Sequence, residues 1–113
     1  MDDIFLKIIH REIPSNILYE DDLCIAFYDK FPIRKGHFLV VPKNKSKNIL
    51  ETSEEETIHL IKIAKKLAKE EIIDKFPGSG FKLIINTNEP AGQTVFHTHI
   101  HIIPYKQKLQ KKA

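Results

Sequence analysis

The sequence predicts one α+β domain built on an antiparallel sheet, and three observations support this prediction. The hydrophobic patterns indicate a helix, three strands, a long helix and two more strands along the chain. Strands that are neighbours in sequence are separated by short polar segments, which favours antiparallel pairing with the long helix packed on one face. At 113 residues the chain can bury one hydrophobic core and is too short for a second domain.

The N-terminal part is predicted to contain a short helix and the first three strands. Apolar residues between positions 4 and 9 have helical spacing after acidic residues that can cap a helix, and Pro14 excludes its continuation. Asp21 and Asp22 form the turn of a predicted hairpin, and Pro42 ends the third strand. The three strands are predicted at residues 17–20, 23–28 and 37–41.

The C-terminal half is predicted to contain the long helix and the last two strands. Ser53 and Glu56 match a capping box, a pattern typical of helix N-termini. Apolar residues then keep a helical period to about Asp74, and the Pro-Gly-Ser-Gly run at 77–80 breaks the helix. The next strand is predicted at residues 81–86, and the last one lies between Gly92 and Pro104.

The last predicted strand carries three histidines at alternate positions. Because successive side chains of a strand point to opposite faces, the three imidazoles are expected on one face. Their Cα atoms would be about 6.6 Å apart from one histidine to the next. The residues predicted on this face are Val95, His97, His99, His101 and Ile103.

The row of histidines predicts a site either for an anionic centre or for a metal ion, and their spacing alone leaves both open. Reaction at a phosphate ester or phosphoramidate needs a neutral nitrogen to attack phosphorus and donors around the oxygens. Imidazole can supply both near neutral pH. His37 begins another predicted strand and could close on the same site, while Gln93 and Thr94 offer further donors. Alternate histidines also chelate zinc or copper, although no flanking carboxylate is evident to orient them.

Composition and charge exclude several classes of protein. No apolar run approaches the roughly 20 residues that span a bilayer, and the acidic start of the chain is unlike a signal peptide. Cys24 is the only cysteine, so an intrachain disulfide is impossible, and a reducing, cytoplasmic location is expected. Subtracting the four lysines of residues 106–112 from the net charge of +3 leaves −1. This lysine-rich tail, at about 105–113, lacks interleaved aromatic residues, so binding to nucleic acid is not expected.

Three segments together resemble a known family. Residues 92–103, with the sequence GQTVFHTHIHII, resemble the signature of the histidine triad (HIT) nucleotide-binding proteins. Residues 26–29 (AFYD) and 36–43 (GHFLVVPK) resemble two further segments of that family at matching separations. The likeness extends from about Phe5 to Pro104. It implies a single HIT domain over residues 1–113 and a homodimer in which two five-stranded sheets join into one of ten strands.

The resemblance also implies an activity. It implies a hydrolase of purine nucleoside phosphoramidates in which His99 is the nucleophile and forms a nucleotidyl-histidine intermediate. The His97 carbonyl would orient the His99 ring, while His101 and His37 would stabilise the phosphate. A histidine at position 101, where a transferase branch has glutamine, favours hydrolysis. The alternatives are a dinucleoside polyphosphate hydrolase and a mainly non-catalytic nucleotide-binding partner protein.

The resemblance places an AMP or GMP type of nucleotide beside the histidines. Asp29 would bind the ribose hydroxyls, and Lys30 replaces a residue that is often apolar in relatives. The residues implied in nucleotide binding are Phe5, Phe27, Asp29, Lys30, Asn86, Gly92, Gln93, Thr94 and Val95. No cofactor is implied. Relatives that bind zinc carry cysteines where this chain has Asp3 and Leu6, so no metal is expected here.

Overall fold

The computed structural model describes residues 3–106 and shows one five-stranded sheet with helices on both faces. The strands are β1 (Ile17–Glu20), β2 (Cys24–Tyr28), β3 (Phe38–Pro42), β4 (Gly80–Ile84) and β5 (Ile100–Tyr105). They lie in the order β1-β2-β3-β5-β4, and each neighbouring pair is antiparallel. The predicted α+β architecture with one long and one short helix is therefore confirmed. The two helices are α1 (Ile4–Ile9) and α2 (Glu54–Ala68). In residues 3–106 no helix has both the length and the apolar character needed to cross a membrane.

Helix α2 covers one face of the sheet. Its N-cap is Ser53, whose Oγ accepts a hydrogen bond from the Glu56 N–H at 3.1 Å and donates to the Glu56 carboxylate at 2.8 Å. The buried side of the helix packs on β2, β3 and β5. A π-helical turn, Lys69–Ile73, continues α2, so the predicted helical run to about Asp74 has nearly the right extent but ends in a wider turn. Ile72 in that turn is buried in the same core.

Helix α1 covers the opposite face near the centre of the sheet. Phe5 and Ile8 pack there on Ile25, Phe27 and other side chains of β2 and β3. The ring of Phe5 meets that of Phe27 edge-on, with the centroids 5.6 Å apart. Since β2 and β3 are covered on both sides, their side chains are buried almost without alternation. This second, partly covered face carries the histidine site.

The prediction for the last strand was wrong at both ends. Strand β5 begins only at Ile100, so His97 and His99 precede it and do not share a strand face with His101. Thr98 bonds instead to a loop, because its N–H donates to the Ser46 carbonyl at 2.8 Å. At the other end the strand includes Pro104, which lies beyond Ile102, the last partner of β3, and pairs only with Phe81 of β4. The missing N–H of Pro104 therefore costs no bond to β3.

Two glycines allow the turns that precede the site. Gly36, just before His37, has φ +91°, and a Cβ at this position would lie 3.3 Å from Pro104 Cγ. Gly92 has φ +94° and ends a short 3-10 turn, Glu89–Ala91. Both positions favour glycine because side chains disfavour the left-handed region.

Candidate active site

The ring of His99 is held in one orientation and one tautomer. Its Nδ1 lies 2.7 Å from the carbonyl oxygen of His97. A carbonyl can only accept a hydrogen bond, so the proton of the neutral ring is on Nδ1 and Nε2 carries a free lone pair. Phe5 packs edge-on against this ring, with the centroids 4.9 Å apart, and the residue is 6% exposed. The ring therefore presents a defined lone pair at Nε2 and has little freedom to rotate.

Electrostatics keep this nitrogen unprotonated. Burial is the main factor that lowers the pKa of His99 from its ordinary value, and the charge of His97 acts in the same direction. The hydrogen bond to the His97 carbonyl and the carboxylates of Asp29 and Asp3 oppose this effect without reversing it. At pH 7 His99 is therefore neutral and available as a base or nucleophile.

A chain of hydrogen bonds assigns the protons of the two other histidines. The backbone N–H of Ile33 donates to His37 Nδ1 at 3.1 Å, so the proton of neutral His37 is on Nε2. That nitrogen lies 3.0 Å from His101 Nδ1, which must accept. The proton of His101 is consequently on its own Nε2. The ring centroids of His99 and His101 are 4.8 Å apart, so a lone pair and an N–H donor are presented side by side.

These two histidines are also neutral at pH 7. Burial lowers the pKa of His37, against the opposing effect of Asp29, whose Oδ2 lies 3.6 Å from His37 Nε2. Burial together with repulsion from His99 and His37 lowers the pKa of His101 to about 4. The site therefore offers N–H dipoles and a lone pair instead of a cluster of cations.

The ring of His97 hydrogen-bonds at both nitrogens to groups other than the three histidines described above. Its Nδ1 lies 2.8 Å from Asp3 Oδ2 and its Nε2 lies 2.8 Å from the Pro42 carbonyl oxygen. The predicted row of three imidazoles on one face is thus wrong, because His97 contacts the site through its backbone carbonyl while its ring is fully buried. The physical reason is that residues 97–99 do not form a strand.

The predicted nucleotide-binding residues fall into two groups. Phe5 and Phe27 are buried beside the histidines, and Val95 packs on the same apolar cluster. Asp29 lies next to His37, since its N–H donates a hydrogen bond to the His37 carbonyl at 3.0 Å. Lys30, Gly92 and Thr94 are exposed, and Asn86 is half-buried, with its amide nitrogen 3.9 Å from where a Cβ on Gly92 would lie.

Gln93 differs from the other predicted ligand-binding residues because its side chain is used within the protein. Its Oε1 accepts from the Asn88 N–H at 2.8 Å, and its Nε2 donates to the carbonyls of Lys47 at 2.7 Å and Val95 at 3.1 Å. Both amide donors are therefore already engaged. Its buried side chain fixes the loop that leads into the histidine segment.

The hydroxyl groups of Ser46 and Thr52 hold Thr98, a cluster that the sequence does not predict. The side-chain oxygens of Ser46, Thr52 and Thr98 lie 2.8–2.9 Å from one another and are buried. Thr98 also donates to the Ser46 carbonyl through both its N–H and its Oγ1. A threonine at a position that faces away from the histidines was the one available signal, but its partners lie about fifty residues earlier, at positions 46 and 52.

Two groups of side chains in the described part of the chain have spacings that a metal ion could use. Asp29, His37 and His101 place ligand atoms within 4.8 Å of one another, as do Asp21, Cys24 and His59. In the first group the facing imidazole nitrogens already bond to each other. In the second, Asp21 accepts from His59 at 2.6 Å and burial raises the pKa of the Cys24 thiol to about 12. Hydrogen bonds within the protein therefore account for both groups.

Comparison with known proteins identifies the family. The HIT domain model matches residues 10–108. A HIT-like protein of Mesomycoplasma hyorhinis is 54% identical over 107 residues, which cover 95% of this chain and 96% of that protein. This chain belongs to the HIT domain family, as the histidine segment and the sheet indicate.

Solved structures of the same family have the same fold. A histidine triad nucleotide-binding protein from Candida albicans superposes with a TM-score of 0.87 and 31% identity, covering 99% of this chain and 84% of that one. A HIT family hydrolase from Clostridium thermocellum superposes with a TM-score of 0.82 and 38% identity, covering 98% of this chain and 96% of that one.

The lowered pKa values of the three site histidines predict that acid destabilises the folded protein. Since His37, His99 and His101 bind protons less readily when folded, the unfolded chain takes up more protons as pH falls below about 6.5. The free energy of unfolding should therefore decrease from pH 7 towards pH 4, as measured by urea denaturation. His101→Gln should reduce the slope of the free energy of unfolding against pH by up to about 1.4 kcal/mol per pH unit. His10→Gln, at an exposed position, is the control and should keep the original slope. A stability that is flat or rises from pH 7 to pH 5 would contradict this account.

Proposed function

We propose that this protein hydrolyses purine nucleoside phosphoramidates through a nucleotide covalently attached to His99. The observation that carries the proposal is the hydrogen bond from His99 Nδ1 to the His97 carbonyl, because it leaves Nε2 as the free nucleophile. The names of the structural relatives support it, since one is a histidine triad nucleotide-binding protein and another a HIT family hydrolase. No metal or cofactor takes part in the proposed reaction.

The reaction proceeds in two displacements. In the first, the His99 Nε2 lone pair attacks phosphorus, the P–N bond breaks, and the amine leaves with the electron pair and takes up a proton from solvent. In the second, water attacks phosphorus, the P–Nε2 bond breaks, and the electron pair returns to His99. The proton of the water passes to solvent, and the nucleoside monophosphate is released.

His101 supplies the nearest donor for the phosphoryl oxygens. Its Nε2–H follows from the hydrogen bond that His37 donates to its other nitrogen. A neutral donor held in a buried site stabilises developing negative charge without the cost of reorienting water. His37 acts through His101, and Asp29, held beside His37, is proposed to bind the ribose hydroxyls.

The nucleoside is proposed to lie between α1 and the histidines. Phe5 and Phe27 offer apolar edges for a purine ring, and Val95 packs on the same cluster. Gly92, Thr94, Asn86 and the exposed Lys30 lie outside this cluster and are proposed to line the ribose and phosphate side, whereas the amide of Gln93 shapes their loop.

We also propose a homodimer joined along β4. The sheet has two edges, β1 and β4. Strand β1 is short, and its register with β2 shifts between Ile17 and Tyr19, an irregularity that discourages further pairing. Strand β4 pairs regularly with β5 through all its residues, and Leu83 is 37% exposed on it.

Light scattering during gel filtration tests the dimer. The expected mass is twice 13.1 kDa. Leu83→Lys should shift the protein towards monomer, because added charge on an edge strand opposes pairing. Ile58→Lys, on the exposed side of α2, is the matched control and should remain dimeric. A monomeric wild-type protein would contradict the proposal.

The activity is tested by steady-state hydrolysis of a fluorogenic adenosine phosphoramidate, with and without EDTA. We expect turnover that EDTA leaves unchanged. His99→Ala should lower kcat by roughly a thousandfold or more, because the nucleophile is lost, while binding of AMP remains measurable by calorimetry. His10→Ala, at an exposed site, should keep the wild-type rate.

Three outcomes would overturn the proposal. A preference for diadenosine polyphosphate at equal concentration would keep the histidine chemistry but assign a different substrate class. Binding of AMP without turnover of either compound would indicate a nucleotide-binding protein instead of an enzyme. Wild-type turnover in His99→Ala would exclude the proposed nucleophile.

A further inference from the structure

The carboxylate of Asp3 joins three parts of the chain behind the proposed nucleophile. Its Oδ1 caps α1 by accepting from the N–H groups of Phe5 at 3.0 Å and Leu6 at 3.1 Å. Its Oδ2 accepts from Lys45 Nζ at 2.6 Å and faces His97 Nδ1 at 2.8 Å. One side chain thereby connects the start of the first helix to a histidine 94 residues later.

The partners of the His97 ring determine how many protons it carries. Nε2 faces the Pro42 carbonyl, which can only accept, so this nitrogen carries a proton. Nδ1 faces Asp3. Burial raises the pKa of Asp3, but hydrogen bonds from Lys45, the Leu6 N–H and His97 outweigh it and lower the pKa overall. An ionised carboxylate also only accepts, so Nδ1 must carry a second proton.

We propose that Asp3 holds His97 as a buried imidazolium and that this ion pair positions the nucleophile His99. Its kinetic consequence rests on the proposed hydrolase function, whereas the protonation of His97 does not. The ring of His97 is 0% exposed and bonded at both nitrogens, which fixes the residue whose carbonyl orients His99. Lys45 also donates to the carbonyl of Phe96, so the residue before His97 is held by the same cluster.

The charge of the imidazolium also acts on the nucleophile directly. The charged or titratable groups that face this ring in residues 3–106 are Asp3 before α1, Lys45 after β3 and His99 itself. Among their effects on His99, the charge of His97 lowers its pKa more than Asp3 raises it. The ion pair therefore helps to keep His99 Nε2 unprotonated. Lys45 keeps the cluster cationic overall, so Asp3 is fully compensated.

Two substitutions separate this role from that of capping the helix. Asp3→Asn keeps a good cap, and its amide can donate to His97 Nδ1, but the negative charge is removed. Asp3→Ser also keeps a cap but is too short to bridge Lys45 and His97. Because both variants retain the cap of α1, a change in His97 or His99 reports the loss of the ion pair. Asp22→Asn, an exposed residue of the β1–β2 turn, is the matched control.

Nitrogen-15 NMR of the histidine rings tests the protonation state without any substrate. We expect both ring nitrogens of His97, assigned by their loss in His97→Gln, to have the similar shifts of an imidazolium at pH 7. In Asp3→Asn the two shifts should separate into those of a neutral ring protonated at Nε2, while Asp22→Asn keeps the wild-type pattern. A neutral His97 in the wild-type protein, or unchanged shifts in Asp3→Asn, would overturn the proposal.

Kinetics then test the positioning role. Asp3→Asn and Asp3→Ser should lower kcat for the phosphoramidate by up to roughly 100-fold with little change in KM, as expected for a misplaced nucleophile. The acidic limb of the rate profile should move to higher pH in Asp3→Asn. Unchanged kcat and pH profile in both variants would refute the positioning role. If the wild-type protein does not turn over the phosphoramidate, the proposed function fails, and the NMR result still decides the state of His97.

Discussion

The hydrogen bond from the His99 ring to the backbone carbonyl of His97 is the constraint on which the rest of the site depends. It selects the tautomer, and hence which nitrogen is free. A strand could not easily provide it, since the carbonyls of a strand are used in pairing with its neighbours. The chain instead remains irregular until Ile100, where β5 begins. Hydrogen bonds to other parts of the chain therefore fix this segment. The hydroxyls of Ser46 and Thr52 bond to Thr98, and the Gln93 amide bonds to the Lys47 carbonyl in the loop after β3.

Burial has opposite consequences on the two sides of this segment. On the side where His37, His99 and His101 lie, desolvation keeps the three rings neutral. They therefore present a lone pair and N–H donors. On the side of the His97 ring, the Asp3 carboxylate bonds to His97 Nδ1 and is itself paired with Lys45, while the Pro42 carbonyl faces Nε2. The same residue type thus has two electrostatic environments within five residues of sequence, and the difference arises entirely from neighbours supplied by other elements.

Local signals predicted most of the fold. The Ser53 capping box, the helical period of α2 and the turn at Asp21 each depend on residues close in sequence, and the structure contains all three. The histidine segment was mispredicted because alternation of apolar and polar residues is the same for a strand and for an irregular segment bonded to loops. Proline is typical of strand ends, which is why the sequence predicts an end at Pro104, but β5 continues through this residue where β3 no longer pairs.

The grouping of the site was predictable only in part. Family resemblance placed His37 beside the histidine segment, and the structure brings His37 and His101 together. The direction of the His97 ring was not predictable, because it depends on Asp3 and on a backbone carbonyl of β3 that has no sequence signature. The protons of His37 and His101 are assigned from the backbone N–H of Ile33, a contribution that does not depend on the Ile33 side chain.

The most direct test of the central claim is mass spectrometry of the protein after rapid acid-free denaturation during turnover of an adenosine phosphoramidate. The account predicts protein that carries one AMP group on the peptide containing His99; an unmodified protein, or AMP on another residue, would contradict it.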